Sequence, residues 1–166
     1  MYKADVVMLK KLLTLREGRA EHVYSDHLGY HTAGIGHLLT KSEESLYKLG
    51  DAVPASIVDD WFEKDVERFL KRTEIQLADL GIIQGYLEFC TCLVSVNFQL
   101  GNFKVKFPNT FEAIRAGRYS DAIQAVERSL WAEQTPVRVQ DFVMAIRTMD
   151  PATARIGRDY FSDILR

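Results

Sequence analysis

The chain has 166 residues, of which 47% are hydrophobic and 27% charged; that balance excludes a disordered or fibrous protein and suits one domain or two small lobes. Against 23 acidic residues stand 21 basic ones, a formal charge of −2, so bulk electrostatics directs the protein to neither nucleic acid nor an anionic membrane. No window approaches the roughly 18 apolar residues of a membrane span, and the N-terminal run into Lys10 and Lys11 has no secretory hydrophobic region.

In chain order, Ala4, Met8, Leu12 and Leu15 recur at helical spacing and predict a first helix ending near Arg16 or Glu17, with Gly18 as its stop. From Gly18 to Gly36 the strand-favouring Val23, Tyr24, Tyr30, Thr32 and Ile35 are punctuated by Gly29, Gly34 and Gly36. This predicts a small antiparallel hairpin or meander, the only sheet of the chain. Thr40-Lys41-Ser42-Glu43-Glu44 predicts a short capped helix. Asp51 and Pro54 then mark the start of a long amphipathic helix reaching about Leu77, wet over much of its girth as a connector between lobes would be.

The stretch Gly85 to Leu100 is apolar almost all round and predicts a helix at the centre of a helical lobe. Segments 109–116, 119–130, 136–148 and 152–165 read as further helices, separated by Gly117, Thr135-Pro136 and Asp150-Pro151. Cys90 and Cys92 sit two positions apart on that central helix, on different faces. They read as reduced core thiols rather than as a disulfide or a metal site.

The residues that carry chemistry lie early. Glu17 closes the first helix, Asp26 follows nine residues later at the hairpin turn, and Thr32 six further on, just before Gly34-Ile35-Gly36-His37. Acid–base cleavage of a glycosidic bond needs two carboxyl groups in different settings. A helix C-terminus favours the neutral acid, and a polar turn with backbone N–H groups favours the anion. Singly, each residue has an ordinary reading, a solvated helix end and a turn cap. The Gly-Ile-Gly-His stretch is no phosphate loop, because it lacks the Lys-Ser/Thr pair.

Taken together, Glu17-Gly18, Tyr24-Ser25-Asp26 and Gly29-Tyr30-His31-Thr32-Ala33-Gly34-Ile35-Gly36-His37-Leu38-Leu39-Thr40 closely resemble the signature of the phage-type lysozymes, the T-even bacteriophage endolysin family. Asn97-Phe98-Gln99-Leu100-Gly101 resembles the end of that family's central helix, and Trp131-Ala132-Glu133-Gln134-Thr135-Pro136-Val137-Arg138 resembles its Trp-x-x-Gln-Thr-Pro-x-Arg segment. The resemblance implies an α+β, predominantly helical, two-lobed lysozyme-like fold forming a single domain over 1–166. Its parts would be a small hairpin or meander lobe at about 18–56, a connecting helix at about 54–77, and a helical lobe at about 78–166 joined by helix 1–17.

The same resemblance implies an inverting muramidase, a glycoside hydrolase that cuts the β-1,4 bond between N-acetylmuramic acid and N-acetylglucosamine in peptidoglycan during host cell lysis. Glu17 would be the general acid, Asp26 the carboxylate that positions and activates water, and Thr32 the hydroxyl that helps hold it. Tyr24, Tyr30, His37, Phe98, Gln99 and Arg138 are the candidate substrate-binding residues; Arg138 would also orient Glu17, and His37 would pair with Asp65. No metal or organic cofactor is implied. The partner would be a peptidoglycan glycan strand, with no nucleic acid and no stable membrane association. A monomer would act from the host cytoplasm on periplasmic peptidoglycan after a separate protein opens the membrane. Since the net charge offers little attraction to an anionic wall, a local patch such as Lys104, Lys106, Arg115 and Arg118 would have to supply it. Two alternatives are a lytic transglycosylase, with an anhydro product, and a non-catalytic wall-binding module.

Overall fold

The structure, a computed structural model, describes residues 5–166. Ala4, counted in the predicted first helix, lies outside the described residues. Among them are ten helices and one three-stranded antiparallel sheet, a predominantly helical α+β fold. In order these are α1 (Val6–Glu17), β1 (Ala20–Ser25), β2 (His31–Gly34), β3 (His37–Leu38), α2 (Lys41–Leu46), α3 (Ala55–Asp79), α4 (Leu87–Leu100), α5 (Phe103–Lys106), α6 (Pro108–Arg115), α7 (Tyr119–Glu127), α8 (Leu130–Gln134), α9 (Pro136–Arg147) and α10 (Ala154–Ile164). The chain divides into two compact units. One holds the described residues up to Lys10 together with Phe69–Arg166, and the other is Lys11–Arg68.

In the Lys11–Arg68 unit, β1, β2 and β3 pair in sequence order, with Tyr24 opposite Thr32, Ser25 opposite His31, and Thr32 opposite Leu38. The register between β1 and β2 slips between Ala20 and Tyr24, an irregularity that bends the strand. Val23, Ala33, Leu39, Val53, Val58 and Trp61 form the core beneath the sheet, with Tyr47 and Ile57 packed against it. The capped helix has the full reciprocal geometry: Glu43 N–H donates to Thr40 Oγ1, and Thr40 N–H donates to the Glu43 carboxylate at 2.8 Å.

Residues 50–53 run along the free side of β1: Val23 N–H donates to Asp51 O, Gly50 N–H to Val23 O, and Val53 N–H to Glu21 O. The helix therefore begins only at Ala55, after Pro54, whose carbonyl takes the N–H groups of Ile57 and Val58. An edge strand needs pairing, and this short segment provides it. Arg19 adds a further tie, with Nη1 donating to Asp59 Oδ1 at 2.7 Å.

In the other unit α4 is buried continuously from Phe89 to Phe98, as its all-round apolar character requires. Phe89, Leu93, Phe103, Phe111, Phe142 and Ile146 are fully buried in the core around it or nearly so. Their rings interlock, with Phe103 and Phe142 edge-to-face at 4.9 Å. Asn97, completely buried, organises the polar interior of this unit. Its amide donates to Thr73 Oγ1 and Gln76 Oε1, both at 2.9 Å, and its carbonyl accepts from Phe103 N–H at 2.8 Å. Cys90 and Cys92 are buried thiols.

Two short helices were not legible as such. Asn102 accepts from Val105 N–H and opens the four-residue α5. The segment read as one helix over 119–130 breaks in two, because Ser129 Oγ accepts from Ala132 N–H and starts α8 afresh. No helix among the described residues is long and apolar enough to cross a membrane.

Candidate functional site

Glu17 is the last residue of α1, which stops because Gly18 takes φ +70° and donates its N–H back to Thr14 O. The Glu17 side chain then lies against the β2–β3 turn. A Cβ built on Gly36, at φ +62°, would stand 2.6 Å from Glu17 Oε2 and 2.8 Å from its Cδ. Only glycine permits that close approach, and only glycine adopts that backbone without strain.

Asp26 is fixed by the β1–β2 turn. Its Oδ1 accepts from Leu28 N–H at 2.9 Å and Tyr30 N–H at 2.8 Å, while its own N–H donates to Tyr30 O. One carboxylate oxygen is thus held by backbone, as in an Asx turn. Its other oxygen has no hydrogen-bond partner among the described residues. Thr32, 6% exposed, stands opposite Tyr24 in the sheet and so shares a face with it; its hydroxyl donates to Tyr30 O at 3.2 Å.

Tyr24 ties these groups together electrostatically. Partial burial first, and then the charges of Glu17 and Asp26, push its phenol above the ordinary value of 10. The phenol therefore keeps its proton and remains a donor. Glu17, Tyr24, Asp26 and Thr32 are brought together within the Lys11–Arg68 unit, although Glu17 belongs to a helix and the other three to the sheet and its turn. Such a set combines a carboxyl at a helix end, a turn carboxylate with an open oxygen, and two hydroxyls, and it can hold and deprotonate a water molecule. Tyr30, at the tip of the same turn, is 57% exposed.

His37 sits differently from an open binding residue. Its Nδ1 lies 2.6 Å from Asp65 Oδ2 and its Nε2 2.8 Å from Glu43 Oε1, so both ring nitrogens are engaged, and the ring stacks on Trp61 at 4.4 Å. Burial by itself pulls the imidazole down. The hydrogen bonds and charges of Asp65 and Glu43 outweigh it and hold the group above its ordinary value of 6.5. For Glu43, burial pushes up, but the Thr40 backbone bond and the His37 interaction leave the carboxyl below its usual range. The Asp65 partner was implied by the family resemblance; the Glu43 one was missed, although the capping box already placed that carboxylate near Thr40.

The remaining candidates lie in the other unit. Phe98 is 8% exposed and packs on Phe69 with ring centres 5.4 Å apart. Gln99 donates to Thr135 Oγ1 at 3.1 Å and accepts from Trp131 Nε1 at 3.0 Å. Arg138, buried in the first turn of α9, donates through Nη2 to Ser95 O at 3.0 Å and to Ser95 Oγ at 3.2 Å. Three of the four residues named for the basic patch are ion-paired. Lys104 pairs with Asp79 at 2.7 Å, Arg115 with Glu112 at 3.5 Å and Arg118 with Asp121 at 3.6 Å. Among the described residues no group of three or more His, Cys, Asp or Glu side chains is placed to hold a metal ion.

A family model described as phage lysozyme matches residues 15–142, which includes Glu17, Asp26, Thr32 and Arg138. The chain is 32% identical, over 98% of its length, to peptidoglycan hydrolase gp36 of Pseudomonas phage phiKMV, and spans 18% of that longer protein. It is 29% identical to probable T4-type lysozyme 1 and 27% identical to probable T4-type lysozyme 2 of Dictyostelium discoideum. Both matches cover 86% of this chain and 95% of the relative.

Proposed function

This chain belongs to the phage lysozyme family, and from that premise we propose that it is a peptidoglycan hydrolase, more narrowly a muramidase that cuts the β-1,4 bond between N-acetylmuramic acid and N-acetylglucosamine. The observation that carries the reading is the convergence on Tyr24 of two carboxyl groups from different elements, Glu17 and Asp26, beside the Thr32 hydroxyl. Glu17 protonates the leaving glycosidic oxygen. Asp26, through the oxygen left open by the turn, and Thr32 hold a water, and Asp26 takes its proton as it attacks the opposite face of the sugar. That route inverts the anomeric centre and needs about 6.5–9.5 Å between the carboxyl groups to admit the water. Tyr24, Tyr30, Phe98, Gln99 and Arg138 contact or orient the glycan strand. The protein works as a monomer without a cofactor, from the host cytoplasm, and reaches the wall once a separate protein opens the membrane.

The test is clearing of permeabilised Gram-negative cells, with analysis of the released muropeptides. Glu17→Gln and Asp26→Asn each lower the rate by about 10²–10⁴, the range for losing a positioned acid or base. The wild type releases reducing muramic ends with inverted configuration. Equal clearing by Glu17→Gln and wild type refutes the acid assignment, and anhydromuramic ends refute hydrolysis.

A further inference from the structure

Only Ile35 and Gly36 separate β2 from β3, and both ends of this short turn are pinned. At Gly34, with φ +64°, an added Cβ would stand 3.1 Å from Val58 Cγ1 of α3, so the backbone lies close on that side chain. At the other end His37 is held from two helices. Asp65 Oδ2 of α3 lies 2.6 Å from its Nδ1 and Glu43 Oε1 of α2 lies 2.8 Å from its Nε2, while Trp61 of α3 stacks on the ring. Between the pins sits Gly36, against which the Glu17 carboxyl rests. Consecutive Cα atoms are fixed about 3.8 Å apart, so a displacement of His37 passes to Gly36 with little slack.

Glu43 has no part in the hydrolysis proposed above. It belongs to the capping box of α2, and the cap requires only its bond to Thr40 N–H. The contact of the same Oε1 with His37 Nε2 is additional. A neutral imidazole carries one N–H, so only the imidazolium donates to both carboxylates at once. The charges facing the ring are Asp65, with Arg68 3.6 Å behind it, and Glu43, which lies within electrostatic reach of Lys64. The strand partner on β2 is the uncharged Ala33.

When the ring loses its proton, one of the two contacts opens. The Glu43 side chain is 21% exposed against 10% for Asp65, and Glu43 keeps Thr40 N–H as a donor when it lets go. The Glu43 contact is therefore the one that gives.

We infer that, on the muramidase reading above, Glu43 is a positioning residue for Glu17: by holding the Nε2 side of His37 it fixes the turn on which the acid's carboxyl rests. A residue that served only as a helix cap would steady α2 and leave the acid untouched. The clamp instead ties the rate to the protonation of a ring that never meets the substrate.

The experiment compares Glu43→Ala and Glu43→Gln with Thr40→Ala, which removes the hydroxyl capping α2 and leaves the backbone N–H that Glu43 bonds. Tm, kcat and KM on soluble peptidoglycan strands are measured between about pH 5 and pH 8. Glu43→Ala lowers kcat about 5–20-fold with KM within about twofold, a fraction of the 10²-fold cost of a 1 Å misplacement. Thr40→Ala loses as much Tm and keeps its kcat. Glu43→Gln retains an acceptor without the charge; it recovers most of the loss at the acid end, and its kcat falls with rising pH earlier than that of the wild type. NMR of the full chain follows the His37 ring, the Gly36 amide and the Glu17 carboxyl carbon through the same range. In the wild type the Gly36 and Glu17 signals inflect at the His37 midpoint, and in Glu43→Gln that midpoint moves to lower pH. Wild-type kcat in Glu43→Ala, an equal loss of kcat in Thr40→Ala, or Gly36 and Glu17 signals that stay still while His37 titrates overturns the proposal. The NMR arm reads the link from Glu43 to Glu17 without turnover, so failure of the hydrolase reading shows separately, as a wild type that clears no cells.

Discussion

Gly36→Ala is the sharpest perturbation of the Glu17 seat. The added Cβ would lie 2.6 Å from Glu17 Oε2, whereas carbon–oxygen contacts sit at about 3.3 Å or more, so the carboxyl must retreat by roughly 3.3 − 2.6 = 0.7 Å. The three atoms nearest that Cβ all belong to the Glu17 side chain, so the helix and sheet need not move. The stability loss is then the left-handed backbone penalty of about 1–2 kcal/mol. The rate suffers more, since a misplacement near 1 Å costs about 10²-fold. Gly50→Ala is the matched control, with φ +89° and nothing within 4 Å of its Cβ. Thermal denaturation and muropeptide release are measured on both variants. The expected result is similar loss of stability, with activity down roughly 30–100-fold only in Gly36→Ala. If the two variants keep the same activity, the Glu17 carboxyl does not work from its seat on Gly36.

The His37 cluster makes a pH prediction. His37 is raised above 6.5, so its stabilisation is complete below that value and is lost as pH rises through the folded-state one. Glu43 is depressed below 4.5, so its share is complete above that value and is lost as pH falls through the folded-state one. Both contributions are whole only between 4.5 and 6.5. The Tm gap between wild type and His37→Asn is therefore largest near the middle of that window and narrows on the alkaline side; a gap that widens above neutrality contradicts the cluster. Asn97→Ala removes the donor to Thr73 Oγ1 and Gln76 Oε1 and strands the Phe103 N–H inside the helical unit and costs about 2–4 kcal/mol by urea denaturation, more than one exposed hydrogen bond could. Gly157→Ala drives a Cβ to 2.5 Å from Met144 O, a backbone atom that cannot swing aside. It lowers stability by about 2–3 kcal/mol, while an unchanged Tm means that α10 slides freely on α9.

Much of this protein is legible in local order. The stop at Gly18, the short strands around Gly29 and Gly34, the Thr40 capping box and the all-round apolar α4 are each set by neighbours a few residues apart, and each appears where local chemistry places it. Glu17, Asp26 and Thr32 stood out by spacing, with the family resemblance adding the roles proposed for them. Three features depended on distance in the chain. Residues 50–53 close the edge of β1 because an exposed strand edge seeks a partner, and nothing in their own sequence says which edge. Lys104 meets Asp79, 25 positions away in the chain, while the pairs of Arg115 and Arg118, three residues apart, are local. Arg147, by contrast, reads as an ordinary helix-end arginine until folding buries its Nε with no acceptor. Periodicity and turn chemistry act through bonds between near neighbours, so amino-acid order alone determines them. Which charges meet, and which are buried without an acceptor, is decided only when segments far apart in the chain are packed side by side.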